Sequence, residues 1–388
     1  ELDSYSAGAA VYVVARKAGE GADRHNIPGD YQLSENEICD IRLLSSHYKR
    51  FVLVLNVGGP MDLRPVKDLP GVGAILLIGQ GGVECGRAAA RVMKGRVTPS
   101  GKLAATWAFD YNDYPFADEY ADVNGDLDDS YYKEGVYVGY RYFDTFGLKP
   151  MYSFGHGLSY ADFRICLDEI SQENAEVVLK VRVSNLSEQY SGKEVVQVYA
   201  APPIESIDRP RRMLVCFSKT KLLAPGEPQM LEVRVPVDRL TVYNESESVW
   251  ELEAGAYSVC LGSSIETAKP SAVIHLKDTF VTETCTNLFG DVHPEEPIPL
   301  PRVETPVPKA SLPVLCYCRF RNHTGSAAFG TQSARGLYRR WGLAPRPEDI
   351  LFRCPSLLYL LLQEMQPLFW TSTIKLVCFS IDFVYTGV

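Results

Sequence analysis

Glu20 stands between two glycines, Gly19 and Gly21, a few residues after the apolar run Ala9-Ala10-Val11-Tyr12-Val13-Val14. A β-branched run of this kind reads as a buried strand, and the residues after it as the loop at its carboxyl end. In open α/β sheets ligands bind at that edge. Glycine neighbours cannot bury the carboxyl group and let the backbone approach a ligand closely. Glu20 is therefore a candidate proton donor, although a loop glutamate taken alone is more often simply solvated. Asp23 and Arg24, just downstream, read as a local ion pair that supports the loop, and His25 as a surface histidine.

Other chemistry-bearing residues point elsewhere or nowhere. Gly79-Gln80-Gly81-Gly82, between an apolar run and a helical pattern, invites comparison with a nucleotide-binding turn. The spacing departs from G-x-G-x-x-G because Glu84 occupies the third glycine position, where its charge would repel a pyrophosphate. No cofactor is expected. The ten cysteines lack paired zinc spacing, so no metal site is expected, and they form no disulfide framework. Lys133 and Glu134 read as anchors of an aromatic segment. His156, among glycines, reads as a residue that hydrogen-bonds backbone in a tight bend.

The net charge of −9 argues against nucleic acid, whose phosphates require clustered Lys and Arg. The longest apolar stretch, Ser356–Leu362, falls well short of the roughly 20 residues that span a bilayer, so no membrane partner is expected. No leader-like segment opens the chain. With unpaired cysteines, that favours a cytoplasmic location over a secreted one.

The elements that must position Glu20 alternate over residues 1–108. Strands are expected at 9–15, 50–57, 73–79 and 103–107, with helices at 35–48 and 83–95. Ser34 and Glu37 form a capping box for the first helix. This alternation predicts a three-layer α/β sandwich around a mainly parallel sheet. Residues 109–160, dense in Asp, Tyr and Gly, read as an ordered connection lying over that domain. From 161 to 284 short strands recur, at 175–184, 194–200, 213–218, 229–235, 248–252, 256–261 and 272–280. About seven such strands predict an all-β immunoglobulin-like sandwich. Residues 285–388 read as a Pro-rich linker and an unassigned tail, disordered or misread from another frame.

Two longer stretches carry a resemblance. One runs Gly71-Val72-Gly73-Ala74-Ile75-Leu76-Leu77-Ile78-Gly79-Gln80-Gly81-Gly82, then Val97-Thr98-Pro99-Ser100-Gly101-Lys102-Leu103. The other runs Tyr132-Lys133-Glu134-Gly135-Val136-Tyr137-Val138-Gly139-Tyr140-Arg141-Tyr142, then Tyr152-Ser153-Phe154-Gly155-His156-Gly157-Leu158. They resemble the carboxyl-side part of glycoside hydrolase family 3, the β-glucosidase and β-xylosidase family. Gly192-Lys193-Glu194-Val195-Val196-Gln197-Val198-Tyr199 and Trp250-Glu251-Leu252-Glu253-Ala254-Gly255-Ala256-Tyr257 resemble its fibronectin-III-like module.

The resemblance implies a retaining hydrolase of β-glucosides or related carbohydrates. Ala18-Gly19-Glu20-Gly21-Ala22-Asp23-Arg24 is similar to the family's acid/base segment, with Glu20 at the matching position. The family's nucleophile is an aspartate on a (β/α)-barrel domain, and nothing in this chain resembles that barrel. The implied function is therefore half of a composite active site, inactive alone. The alternative is a non-catalytic module that stabilises a partner or holds carbohydrate.

Overall fold

The computed structural model describes residues 8–16, 23–120, 132–203, 207–286, 300–303 and 312–317, and the backbone of 376–378. In the first part, β1 (Ala10–Ala15), β2 (Phe51–Asn56) and β3 (Val72–Leu77) lie side by side and parallel. The register pairs Ala15 with Asn56 and Leu55 with Leu77, so the three carboxyl ends share one edge.

Helices cover both faces of this sheet. α1 (Glu35–His47) follows the Ser34–Glu37 capping box, and its Ile38, Ile41 and Leu44 pack on Val14, Leu53, Leu55 and Leu77. α2 (Cys85–Met93) sets Ala89 and Val92 against Val54 and Leu76 on the other face. Each fully buried aliphatic side chain of this kind contributes about 1.5–3 kcal/mol. The coverage stops short of β1, whose Val11 and Val13 stay 48% and 55% exposed.

The strand expected at 103–107 does not join the sheet. Leu103 and Trp107 instead exchange backbone hydrogen bonds with Tyr152, Gly155 and His156, and only a single bridge, Trp107 to Tyr152, is formed. Their side chains complete the sheet's core from outside it.

The aromatic connection contains α3 (Tyr140–Phe146), which periodicity did not announce. It lies between the two halves rather than over the first alone. Met151 and Tyr152 pack into the α/β core, while Tyr140 and Phe154 pack on Tyr199 and Cys260 of the β region.

That region begins with β4 (Phe163–Glu173), a strand missed in the sequence. It continues through β5 (Glu176–Asn185), β6 (Val195–Ala201), β7 (Met213–Lys219), β8 (Pro228–Pro236), β9 (Val242–Asn244), β10 (Val249–Leu252), β11 (Gly255–Gly262), β12 (Lys269–Leu276) and β13 (Phe280–Thr284). Val177, Leu179, Val181 and Val183 alternate inward on β5, as strand periodicity requires. They meet Val196, Val198, Tyr257, Val259 and Ile274 from the facing sheet.

Two pieces of the supposed tail are built in. β14 (Val314–Tyr317) adds a parallel strand beside β12, and Leu376–Cys378, as β15, pairs with β3. Leu300, in the Pro-rich stretch, packs against the Tyr137–Phe143 cluster.

Candidate active site

Glu20 and its glycines lie outside the described residues, which resume at Asp23. The ends of their segment are well defined. Arg16 is the first residue beyond β1, at the carboxyl edge of the sheet, and its side chain is only 7% exposed. Its guanidinium takes both oxygens of Glu37, at 2.8 and 2.7 Å, and donates to the carbonyls of Ala15, Asp30 and Gln32. Glu37 is the capping-box residue of α1, and it also accepts from the Ser34 backbone at 2.8 Å. Burial alone would raise its carboxyl pKa. The bonds from Arg16 and Ser34 outweigh that and hold it below the ordinary value.

Arg24 does not pair with Asp23. Its Nε donates to the Asp30 carboxylate at 2.8 Å, and its other nitrogens to the carbonyls of Asp30 and Pro60. The same carboxylate accepts from the exposed His25 backbone at 2.7 Å. Asp23 instead accepts from the Tyr120 hydroxyl at 3.4 Å. Asp30 wins Arg24 because the Gly29 turn, at φ +87°, brings its side chain and carbonyl to the same guanidinium. Arg16 and Asp30 were missed in the sequence, and Glu37 was read only as a capping-box residue. The available signal was a charged residue directly after the apolar run of a strand, which must find a partner if it is buried.

A cavity of about 530 Å³ opens at this edge, lined by Arg16, Asn56, Gln80 and Cys85 among others. The Gly79–Gly82 turn forms its far wall, and a Cβ on Gly81 would stand 2.6 Å from the Cys85 sulfur. Gly81 serves close packing at the start of α2, whereas Gly79 and Gly82 take positive φ, at +58° and +67°. Burial pushes the Cys85 thiol pKa up, which disfavours the thiolate.

Further out, Lys133 pairs with Glu119 at 2.6 Å and lies over the Phe116 ring. Burial raises the Glu134 carboxyl pKa. His156, partly buried, stacks on Tyr152 at the junction. Among the described residues no group of three or more His, Cys, Asp or Glu is placed to hold a metal ion. No described helix is long and apolar enough to cross a membrane.

Residues 3–160 match the glycosyl hydrolase family 3 C-terminal domain, and residues 194–265 match a fibronectin type III-like domain. The chain carries the C-terminal region of the glycoside hydrolase 3 family. A β-glucosidase of Ruminococcus albus is 35% identical over 295 residues, covering 74% of this chain and 30% of the relative. An exo-α-(1→6)-L-arabinopyranosidase of Bifidobacterium breve is 31% identical, covering 69% of this chain and 34% of the relative. The structure of β-glucosidase 3B from Thermotoga neapolitana, in complex with α-D-glucose, matches with a TM-score of 0.67 and 37% identity. That match covers 71% of this chain and 38% of the other. This family 3 chain thus spans about a third of the length of these relatives.

Proposed function

We propose that this chain supplies the acid/base half of a retaining β-glycosidase, with Glu20 protonating the departing oxygen and then activating water. The nucleophile is an aspartate on a separate (β/α)-barrel domain, and the substrate is a β-glucoside or a related pyranoside. The observation that carries this reading is the anchoring of both ends of the Glu20 segment at the carboxyl edge of the parallel sheet. A retaining mechanism needs two carboxyl groups about 5–5.5 Å apart, which requires the acid to be held at a fixed height over its partner. Ile27 and Tyr120, beside that segment and 53% and 51% exposed, offer apolar surface for the barrel to cover.

The test supplies a family 3 barrel domain in trans and measures hydrolysis of an alkyl β-glucoside. Glu20→Gln should lower turnover by about 10²–10⁴-fold, the usual worth of positioned acid/base catalysis. Unchanged turnover would remove the assignment. Without the barrel the chain should be inactive, and turnover by the isolated chain would equally overturn the composite site.

A further inference from the structure

Residues 300–303, Leu-Pro-Arg-Val, lie against α3, and three of the four side chains meet chemically distinct seats. Leu300 packs into the aromatic cluster of Tyr137, Tyr142, Phe143 and Phe146. Arg302 donates to the Asp208 carboxylate and to the Arg209 carbonyl, with its guanidinium carbon 5.8 Å from the centre of the Tyr137 ring. The Tyr137 hydroxyl donates to the same Asp208 oxygen, so ring and carboxylate form one unit. Val303 donates its backbone N–H to the Thr145 carbonyl at 2.8 Å and lays a methyl group against Gly147. Gly147 ends α3 at φ +69°, and a Cβ there would stand 2.5 Å from that methyl.

We propose that this cradle on α3 is a peptide-docking groove for an arginine-bearing, proline-containing segment, filled in this chain by its own residues 300–303. These residues belong to no helix or strand. An apolar seat, an aromatic face beside a carboxylate, and one backbone carbonyl hold them instead, which are the features by which aromatic-lined grooves read proline-rich peptides. The Arg302–Asp208 pair, 32% and 70% exposed, is worth little alone, so the seats act together. Pro301 fixes its own φ and biases Leu300 to extended backbone, which lowers the entropy lost on docking. A Leu-Pro-Arg-Val segment supplied in trans competes for the same seats.

The test uses the full chain and a fluorescein-labelled peptide, Pro-Leu-Pro-Arg-Val-Glu, followed by anisotropy. A double variant, Leu300→Ser with Arg302→Ser, frees the groove. For a peptide that binds at about 100 µM, a tethered competitor at an effective concentration of about 1 mM weakens apparent binding roughly tenfold. The double variant should therefore bind the peptide about tenfold more tightly than the parent chain. Adding Asp208→Asn to it should weaken binding about three- to tenfold. Lysine for arginine in the peptide should do the same, because lysine lacks the fork and the flat face that stacks on Tyr137. No saturable binding to the double variant, equal binding to the parent, or equal binding of a scrambled peptide would overturn the groove. The parent chain gives a second measurement. Unlabelled peptide at about 1 mM should speed hydrogen exchange at the Val303 amide about fivefold, by displacing the strap from the Thr145 carbonyl. An unchanged exchange rate would overturn the proposal without reference to any variant.

Discussion

Lys102 and Glu194 meet at 2.9 Å across the junction of the α/β and β regions, with only 3% and 10% of their side chains exposed. Lys102 also donates to the Gly157 carbonyl, and Glu194 accepts from the Val195 backbone. Removing one partner strands the other charge away from water. Glu194→Ala should cost about 3–5 kcal/mol, and replacing both residues by apolar ones of similar volume should restore most of it. Thermal unfolding followed by separate probes in the two regions checks this. Both probes should shift together, and a shift confined to one region would contradict a shared junction.

His156 gives the stability a pH dependence of known sign. Burial, and secondarily the charge of Lys102, lower its pKa to about 4 from an ordinary value of 6.5. Above pH 6.5 neither state is protonated and the contribution is complete. As pH falls from 6.5 towards 4 the unfolded chain takes the proton first, and stability is lost by about 2–3 kcal/mol. Urea unfolding at pH 7 and pH 4.5 should show a smaller difference for His156→Gln than for the parent. Equal differences would mean that His156 carries no such linkage.

Gly155 and Gly226 make a matched pair, with φ of +78° and +75°. At Gly155 a Cβ would stand 2.5 Å from the Gln197 amide and 2.8 Å from the Ser264 Cα, whereas nothing lies within 4 Å at Gly226. Gly226→Ala should cost about 1 kcal/mol of backbone strain. Gly155→Ala should cost about 3 kcal/mol or more, because packing at the junction adds to the strain. Denaturant midpoints of the two variants decide it.

Tyr317 is 8% exposed and belongs to the core of the sandwich. Tyr317→Ala should destabilise by about 3 kcal/mol, as loss of a buried aromatic ring does. Calorimetry would show it. A variant indistinguishable from the parent would mean that β14 contributes nothing.

Legibility in the sequence followed burial. The runs over β1, β2 and β3, the Ser34–Glu37 box and the alternation along β5 were readable, because one buried face imposes one period. β4 was not, since Arg164, Cys166 and Asp168 alternate with only half-buried Ile165 and Leu167. Leu103–Trp107 looked like a strand because its side chains enter the core, but its backbone partners lie some fifty residues away in an irregular segment. In the site, Glu20 and the stretch around it were visible as a motif. The pairing of Arg24 with Asp30 was not, because it depends on a turn at Gly29 that brings a carbonyl and a carboxylate to one place. The strand at 314–317 carried no legible period, being four residues long and paired with a strand about forty residues earlier.

The Lys102–Glu194 pair also sets an order of events at the ribosome. The two residues are 92 positions apart (194 − 102), so the ammonium group emerges long before its carboxylate. At about 5–20 residues per second, that interval lasts on the order of 5–20 s. Throughout it, burying Lys102 would strand its charge without the carboxylate that offsets the cost. Closing the junction around Lys102 is therefore favoured once Glu194 and the first strands of the sandwich have arrived.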